Sequence, residues 1–315
     1  MKSKLIIFGL FAGTVAVAVL VFLYGNNDNG ISGISSANVY CSAYGTLTNE
    51  RPIQSHRSYC IKVSGEASNY DLNTPYAFAY SIVDDEGNVL KEFETVHEKI
   101  MHFIVVRKDL ANFAHVHPEF NTTTGEFTLA NLTFPSNGEY RLFADFTPTT
   151  SQIGFDGAML PVTVYYDVRA GNLDNYKPQP LGDSTSVKNV DDYQVTLSTD
   201  AELTTGKESL FMFDIKQVGQ PVTDLEQYLG ALGHAVILRE GDLQFIHTHP
   251  ADDPMTSQTG NVHFMVPFTE AGRYKVFMQF QHQGEIITTD FVVNVEQDMD
   301  SFSEVEGVGM SDMNY

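Results

Sequence analysis

Apolar and polar residues alternate with a period of two along most of this chain, in short runs rich in Val, Ile, Phe, Tyr and Thr. Successive side chains on a strand point to opposite faces, so such runs predict half-buried strands. In the first half they occupy 59–63, 76–83, 100–107, 127–134, 140–146 and 160–166. Turn-forming residues separate them, among them Asp85-Glu86-Gly87-Asn88, Thr124-Gly125 and Ser136-Asn137-Gly138. The second half repeats the order at 193–197, 210–215, 234–239, 262–266, 274–280 and 286–295. Short strands at this spacing predict sandwiches. The expected fold is all-β, with two tandem immunoglobulin-like β-sandwiches.

The repeat is sharpest around the histidines. His102, His115, His117 and Pro118 read H-x12-H-x-H-P, and His234, His247, His249 and Pro250 repeat it 132 positions later. Six of the ten histidines fall in these two sets. Further on, Gly138-Glu139-Tyr140-Arg141-Leu142-Phe143-Ala144-Asp145-Phe146 aligns with Gly272-Arg273-Tyr274-Lys275-Val276-Phe277-Met278-Gln279-Phe280 at an offset of 134. Two residues inserted in a surface loop explain the change. The chain reads as a tandem duplication whose histidines occupy equivalent places.

A hairpin turning at 108–111 would set Arg107 against Asn112 and His102 against His117, with His115 diagonally beside them. Cross-strand neighbours share a face, and so do residues two apart on one strand. All three imidazoles then converge, and His234, His247 and His249 give the same picture. A slip of one residue would send His102 to the other face. Three convergent neutral imidazoles suit Zn²⁺ or Cu²⁺, with a fourth position open. Met101, Glu119 and His97 are candidate fourth groups in the first copy, and His263 in the second. The alternative is structural. His102 shares its face with Ile104 and Val106, and His115 with Phe113, so the histidines could be core residues that bond to carbonyls in a non-metal interaction module. Catalysis has less to stand on. The chain has no H-E-x-x-H, G-x-S-x-G or phosphate loop. A zinc-dependent hydrolase would need a general base in both copies, yet Glu119 is matched by Ala251.

Length and charge narrow the setting. The 315 residues allow two ordinary domains. A net charge of −22 repels nucleic acid and anionic headgroups. An uncharged apolar run of 20 residues from Leu5 to Tyr24 follows Lys2 and Lys4, enough to span a bilayer with the lysines in the cytoplasm. The alternative is a cleaved signal peptide ending near Ser35-Ser36-Ala37. Either way the globular part is expected on the extracytoplasmic side of the cell membrane. The domains expected are a transmembrane anchor at 1–25, a flexible linker at 26–36, sandwiches at 37–174 and 191–296 joined by a linker at 175–190, and a disordered acidic tail at 297–315. Outside the cytoplasm the only two cysteines, Cys41 and Cys60, read first as a disulfide. A copper or zinc site of Cys41, His56 and Cys60 is the alternative.

The run from His97-Glu98-Lys99-Ile100-Met101-His102 through Asp109-Leu110, Phe113, His115 and His117-Pro118, with the later strand from Tyr140 to Phe146, resembles a family of bacterial secreted or membrane-anchored heavy-metal-associated proteins. These are akin to YtkA-like and FixH-like β-sandwich domains. The second half, from Leu229-Gly230-Ala231-Leu232-Gly233-His234 to His249-Pro250, is similar to their second domain, so the resemblance covers roughly 60–295. It implies an extracytoplasmic tandem linked to copper or other heavy metals. Some relatives carry an added Cys/Met/His-rich N-terminal segment, where this chain has only Cys41 and Cys60.

Overall fold

The structure, a computed structural model, describes residues 39–40, 43–44, 59–65, 69–150, 159–246, 248–250 and 259–298. The expected anchor, the first linker, Cys41, His56, His247 and positions 299–315 lie outside the described residues. Among those described, no helix is long and apolar enough to cross a membrane.

The first half contributes β1 (Val39–Tyr40), β2 (Ala43–Tyr44), β3 (Cys60–Ser64), β4 (Asn69–Tyr70), β5 (Tyr76–Val83), β6 (His102–Arg107), β7 (Phe113–Val116), β8 (Glu119–Asn121), β9 (Glu126–Leu132), β10 (Gly138–Phe146) and β11 (Val162–Ala170). The second contributes β12 (Val187–Val190), β13 (Tyr193–Thr199), β14 (Glu208–Gln217), β15 (Gln220–Pro221), β16 (His234–Arg239), β17 (Phe245–Ile246), β18 (His249–Pro250), β19 (Asn261–Pro267), β20 (Gly272–His282) and β21 (Glu285–Val295). In the first sandwich a sheet ordered β1-β3-β5-β9-β8 faces one ordered β2-β11-β10-β6-β7, with β4 beside β11. In the second, β12-β13-β14-β19-β18, with β15 beside β14, faces β17-β16-β20-β21. Each half carries the tyrosine corner of immunoglobulin-like sandwiches. The Tyr140 hydroxyl donates to Ser136 O at 2.9 Å, and Tyr274 to Glu270 O at 2.6 Å.

Each sandwich closes on its own aromatic core. In the first, Tyr80 packs on Phe103 and Phe127; in the second, Phe213 packs on Phe264 and Phe291. A third apolar cluster lies between the sandwiches and explains why β6 and β16 are apolar on both faces. Phe103 and Val105 enter the first core, while Ile104 and Val106 join Leu110, Phe143, Val236, Leu238, Leu243, Phe277 and Val292 in the seam. The faces carrying Ile104 and Val106 are therefore buried by the other repeat, not by the sandwich they belong to.

The seam is a pseudo-twofold contact. Phe113 stacks on Phe277 with centroids 4.1 Å apart, and the exchanged pair, Phe143 and Phe245, lies at 5.4 Å. Such exchange of equivalent positions marks an isologous interface, here within one chain. The connection between the sandwiches is pinned across it. Leu181 is buried in the seam, Gln179 N donates to Asp109 Oδ2 at 2.8 Å, and an Arg273 guanidinium nitrogen bonds Gly182 O. Val187–Val190, which composition placed in the linker, is the first strand of the second sandwich and pairs with β13. At the other end, Gln297 and Asp298 of the expected tail bond to Thr205. Cys60 is disulfide-bonded; Cys41 is the only other cysteine in the sequence.

Candidate metal centre

The hairpin register is the one loop length predicts. Phe103 pairs with Val116, Ile104 with His115 and Val106 with Phe113, a register that continued by one residue sets His102 against His117. In the second copy Ile237 pairs with Ile246 and Leu238 with Phe245, the equivalent register. His102, His115 and His117 therefore come together at one edge of the seam, half-buried. A two-residue turn orients the first of them. His97 and Glu98 have φ of 50° and 62° between Val96 and Lys99, which bond to each other. This is a primed turn, whose twist suits a hairpin. It presents Val96 O to His102 Nε2 at 3.1 Å. The second repeat copies the device. Leu229 and Gly230 have φ of 56° and 73°, and Tyr228 O lies 2.7 Å from His234 Nε2.

These carbonyls decide what the ring nitrogens present. A carbonyl oxygen only accepts, so His102 carries its proton on Nε2 and turns the Nδ1 lone pair inward. His115 Nδ1 lies 2.8 Å from Gln279 Oε1, across the seam on β20. Gln279 Nε2 donates to Thr288 Oγ1 at 3.0 Å, an amide orientation that puts Oε1, an acceptor, on His115. His115 thus carries its proton on Nδ1 and turns its Nε2 lone pair inward. These tautomers are assigned from the partners. His102 Nδ1 and His115 Nε2 stand 3.1 Å apart, and neither can donate to the other. His117 Nε2 is 3.2 Å from the same His102 Nδ1. An ion held by nitrogens at roughly 2.0–2.1 Å in a tetrahedron would space them about 3.3–3.4 Å apart. The observed separations are close to the edges of such a site. The outer bonds from Val96 O and Gln279 Oε1 are of the kind that fix the tautomer and direction of metal-bound histidines.

Burial favours the neutral form of His115, His117 and His234. Burial lowers the pKa of His115 to about 4, with His102 adding to the effect. Burial, then His115 and His102, lowers His117 to about 2. Burial lowers His234 to about 3, against the Tyr228 carbonyl bond that raises it. A neutral imidazole is the metal-binding form.

The other predicted residues divide. His97 joins the cluster, its ring centroid 6.2 Å from His102 and 5.1 Å from His234. Met101 does not. It is 1% exposed in the core of the first sandwich, since strand periodicity turns it away from His102. Nor does His263, which pairs with Met212 in the sheet on the far side of the second core, between the core residues Val262 and Phe264. Glu119 is exposed on β8. His249 begins β18, which pairs with β19 and not with β16. Among the described residues, His102, His115 and His117 are the set of His, Cys, Asp and Glu groups placed to share an ion.

Two participants carried no motif. Gln279 and Asp145 are buried polar residues at equivalent places in the two repeats, paired with His234 and His102 respectively. Thr163 donates to Asp145 at 2.7 Å. Their shared position, flanked by Ala144 and Phe146 in one repeat and by Met278 and Phe280 in the other, is the signal that could have found them. A third group, His282, is 3% exposed between the Tyr193 hydroxyl at 2.8 Å and Asp224 at 3.1 Å.

The sequence model described as "Domain of unknown function (DUF8832)" matches residues 58–157 and again 188–297. No curated protein matches the chain. Among solved structures it is similar to Salmonella alpha-2-macroglobulin, at 12% identity over 80% of this chain and 16% of that one, with a TM-score of 0.26. It is similar also to domains 4–9 of the surface-layer protein SbsC, at 13% identity over 76% of this chain and 31% of that one, TM-score 0.22. A titin Ig tandem matches at 10% identity over 76% of this chain and 97% of that one, TM-score 0.20. The chain spans less than a third of the first two, and none of the three bears on ligand or partner.

Proposed function

The chain belongs to the DUF8832 family, and we propose that it holds a transition-metal ion, copper or zinc, at the seam between its two sandwiches. His102 Nδ1, His115 Nε2 and His117 Nε2 are the ligands, with a fourth position for water or a donor from a partner. One observation carries the reading: two imidazoles have their outer nitrogens on carbonyl oxygens while their inner nitrogens stand 3.1 Å apart, and the tautomers those oxygens select turn both inner lone pairs to one point. In the metal-free protein His117 Nε2, 3.2 Å away, can donate to His102 Nδ1, and an ion would take that proton's place. The reading extends to the second repeat through His234, which has the same carbonyl lock, together with His247 and His249 of the repeated motif. The resemblance of 97–118 and 140–146 to heavy-metal-associated proteins points the same way.

The role we propose is metal buffering or handover outside the cytoplasm, with 5–24 as the membrane anchor. The disulfide at Cys60 fits an oxidising compartment. A zinc hydrolase is less well supported, because the acidic residue beside the triad, Asp145, is buried and accepts from Thr163.

The test is metal analysis of the purified full chain, with Zn²⁺ and Cu²⁺ titrations, against a variant carrying His102→Ala, His115→Ala and His117→Ala. The wild type should retain metal and the variant should lose at least one ion per chain. Equal metal content in the two would end the proposal.

A further inference from the structure

We infer that Gln279, in the second sandwich, selects the tautomer of His115 and thereby sets whether the triad of the first sandwich can take an ion. The consequence for metal rests on the function proposed above, but the choice of tautomer does not. A neutral imidazole carries one proton and has two places to put it. On Nδ1, the proton goes to Gln279 Oε1 at 2.8 Å, and the Nε2 lone pair faces His102 Nδ1. On Nε2, the proton goes to His102 Nδ1 at 3.1 Å, the pair closes into an ordinary hydrogen bond, and the remaining His115 lone pair, on Nδ1, points out of the triad toward Gln279. The acceptor across the seam decides between them.

That acceptor is built to stay an acceptor. Gln279 is 6% exposed, so bulk water does not take its place. Of the two amide orientations the Thr288 hydroxyl on the neighbouring strand could partner, the structure holds the one with the nitrogen on Thr288 and the oxygen toward His115. Phe277, two residues earlier on the same face of β20, stacks on Phe113, two residues before His115 on β7. The stack therefore sets the distance at which the amide meets the imidazole. At the equivalent place the first repeat has Asp145, a carboxyl that accepts from Thr163. Gln279 is thus a positioning residue, and its action requires the two sandwiches to be docked. Because coupling free energies are reciprocal, an ion in the triad should in turn tighten the docking.

The experiment compares the full-length wild type with Gln279→Leu and Gln279→Glu. Nitrogen NMR of the metal-free proteins reads the His115 tautomer, and competition with a chromophoric chelator reads Zn²⁺ affinity. Wild type and Gln279→Glu should show the proton on Nδ1. Gln279→Leu should show it on Nε2 and lose about 10–100-fold in affinity, as loss of a partner behind a metal-bound histidine does. Gln279→Glu should bind at least as tightly as wild type, a rescue that a mere packing role would not produce. An unchanged tautomer in Gln279→Leu, or equal losses in the two variants, would overturn the inference. Wild type that takes up no Zn²⁺ while the tautomer still follows the acceptor would overturn the metal reading and leave Gln279's selection of the tautomer standing.

Discussion

Replacing Phe277 with Ala should undock the sandwiches without unfolding either. Phe277 is 4% exposed, and its ring lies nearly parallel to Phe113, with 8° between planes. Its neighbours Val276 and Met278 point the other way, into the second core. An aromatic side chain buries roughly 150–250 Å². At about 25 cal/mol per Å² this amounts to about 4–6 kcal/mol, an upper bound because the unfolded chain already hides some of that surface. Truncations of buried Phe to Ala cost about 3–5 kcal/mol in practice, and that is the expected loss. Because the ring faces the seam, the loss should fall on docking. Urea unfolding should change from one transition to two. Hydrogen exchange should quicken on both sides of the seam, at 102–116 and at 274–280, while the cores around Phe127 and Phe213 stay protected. Val276→Ala is the control and should weaken the second sandwich alone. A loss below about 1 kcal/mol, or quickened exchange confined to the second sandwich, would refute the reasoning.

Acid should destabilise the metal-free protein before its carboxylates titrate. The pKa of His115 falls from 6.5 to about 4 and that of His234 to about 3, so the unfolded chain takes up protons that the folded one refuses. Stability is then fully present above about pH 6.5 and is lost as pH falls toward 4, by up to about 1.4 kcal/mol per pH unit for each such histidine. Urea midpoints at pH 7, 6 and 5 measure it, and a flat profile would contradict the burial of these rings. Tyr80→Phe should stabilise the first sandwich by about 1 kcal/mol, because among the described residues its buried hydroxyl is without a hydrogen-bond partner. Thermal unfolding of the two proteins decides it, and a lower midpoint for the Phe variant would show that the hydroxyl is satisfied.

The strands were legible because period two and turn residues are local. The hairpin register was legible for the same reason: a loop from Arg107 to Asn112 admits few pairings, and Phe103 against Val116 follows. The same periodicity already excluded Met101, since a residue beside His102 on a strand must face the other way. His263 failed differently. Its strand was read correctly, but that strand pairs with β14, and sheet membership is a long-range fact. The seam had a trace in sequence. In Phe103-Ile104-Val105-Val106 and Ala235-Val236-Ile237-Leu238 the alternation stops and both faces turn apolar, the mark of a strand covered on both sides. The apolar neighbours Ile104 and Val106, which read as one sandwich's own core, put the His102 face against the other repeat instead. Gln279 could not be read at all without that fact. An amide aligned with Asp145 says that both repeats keep a polar residue there; only the docked sheets show that it meets His115 of the other copy. The duplicated motif describes each half, and the chemistry proposed for it depends on how the halves meet.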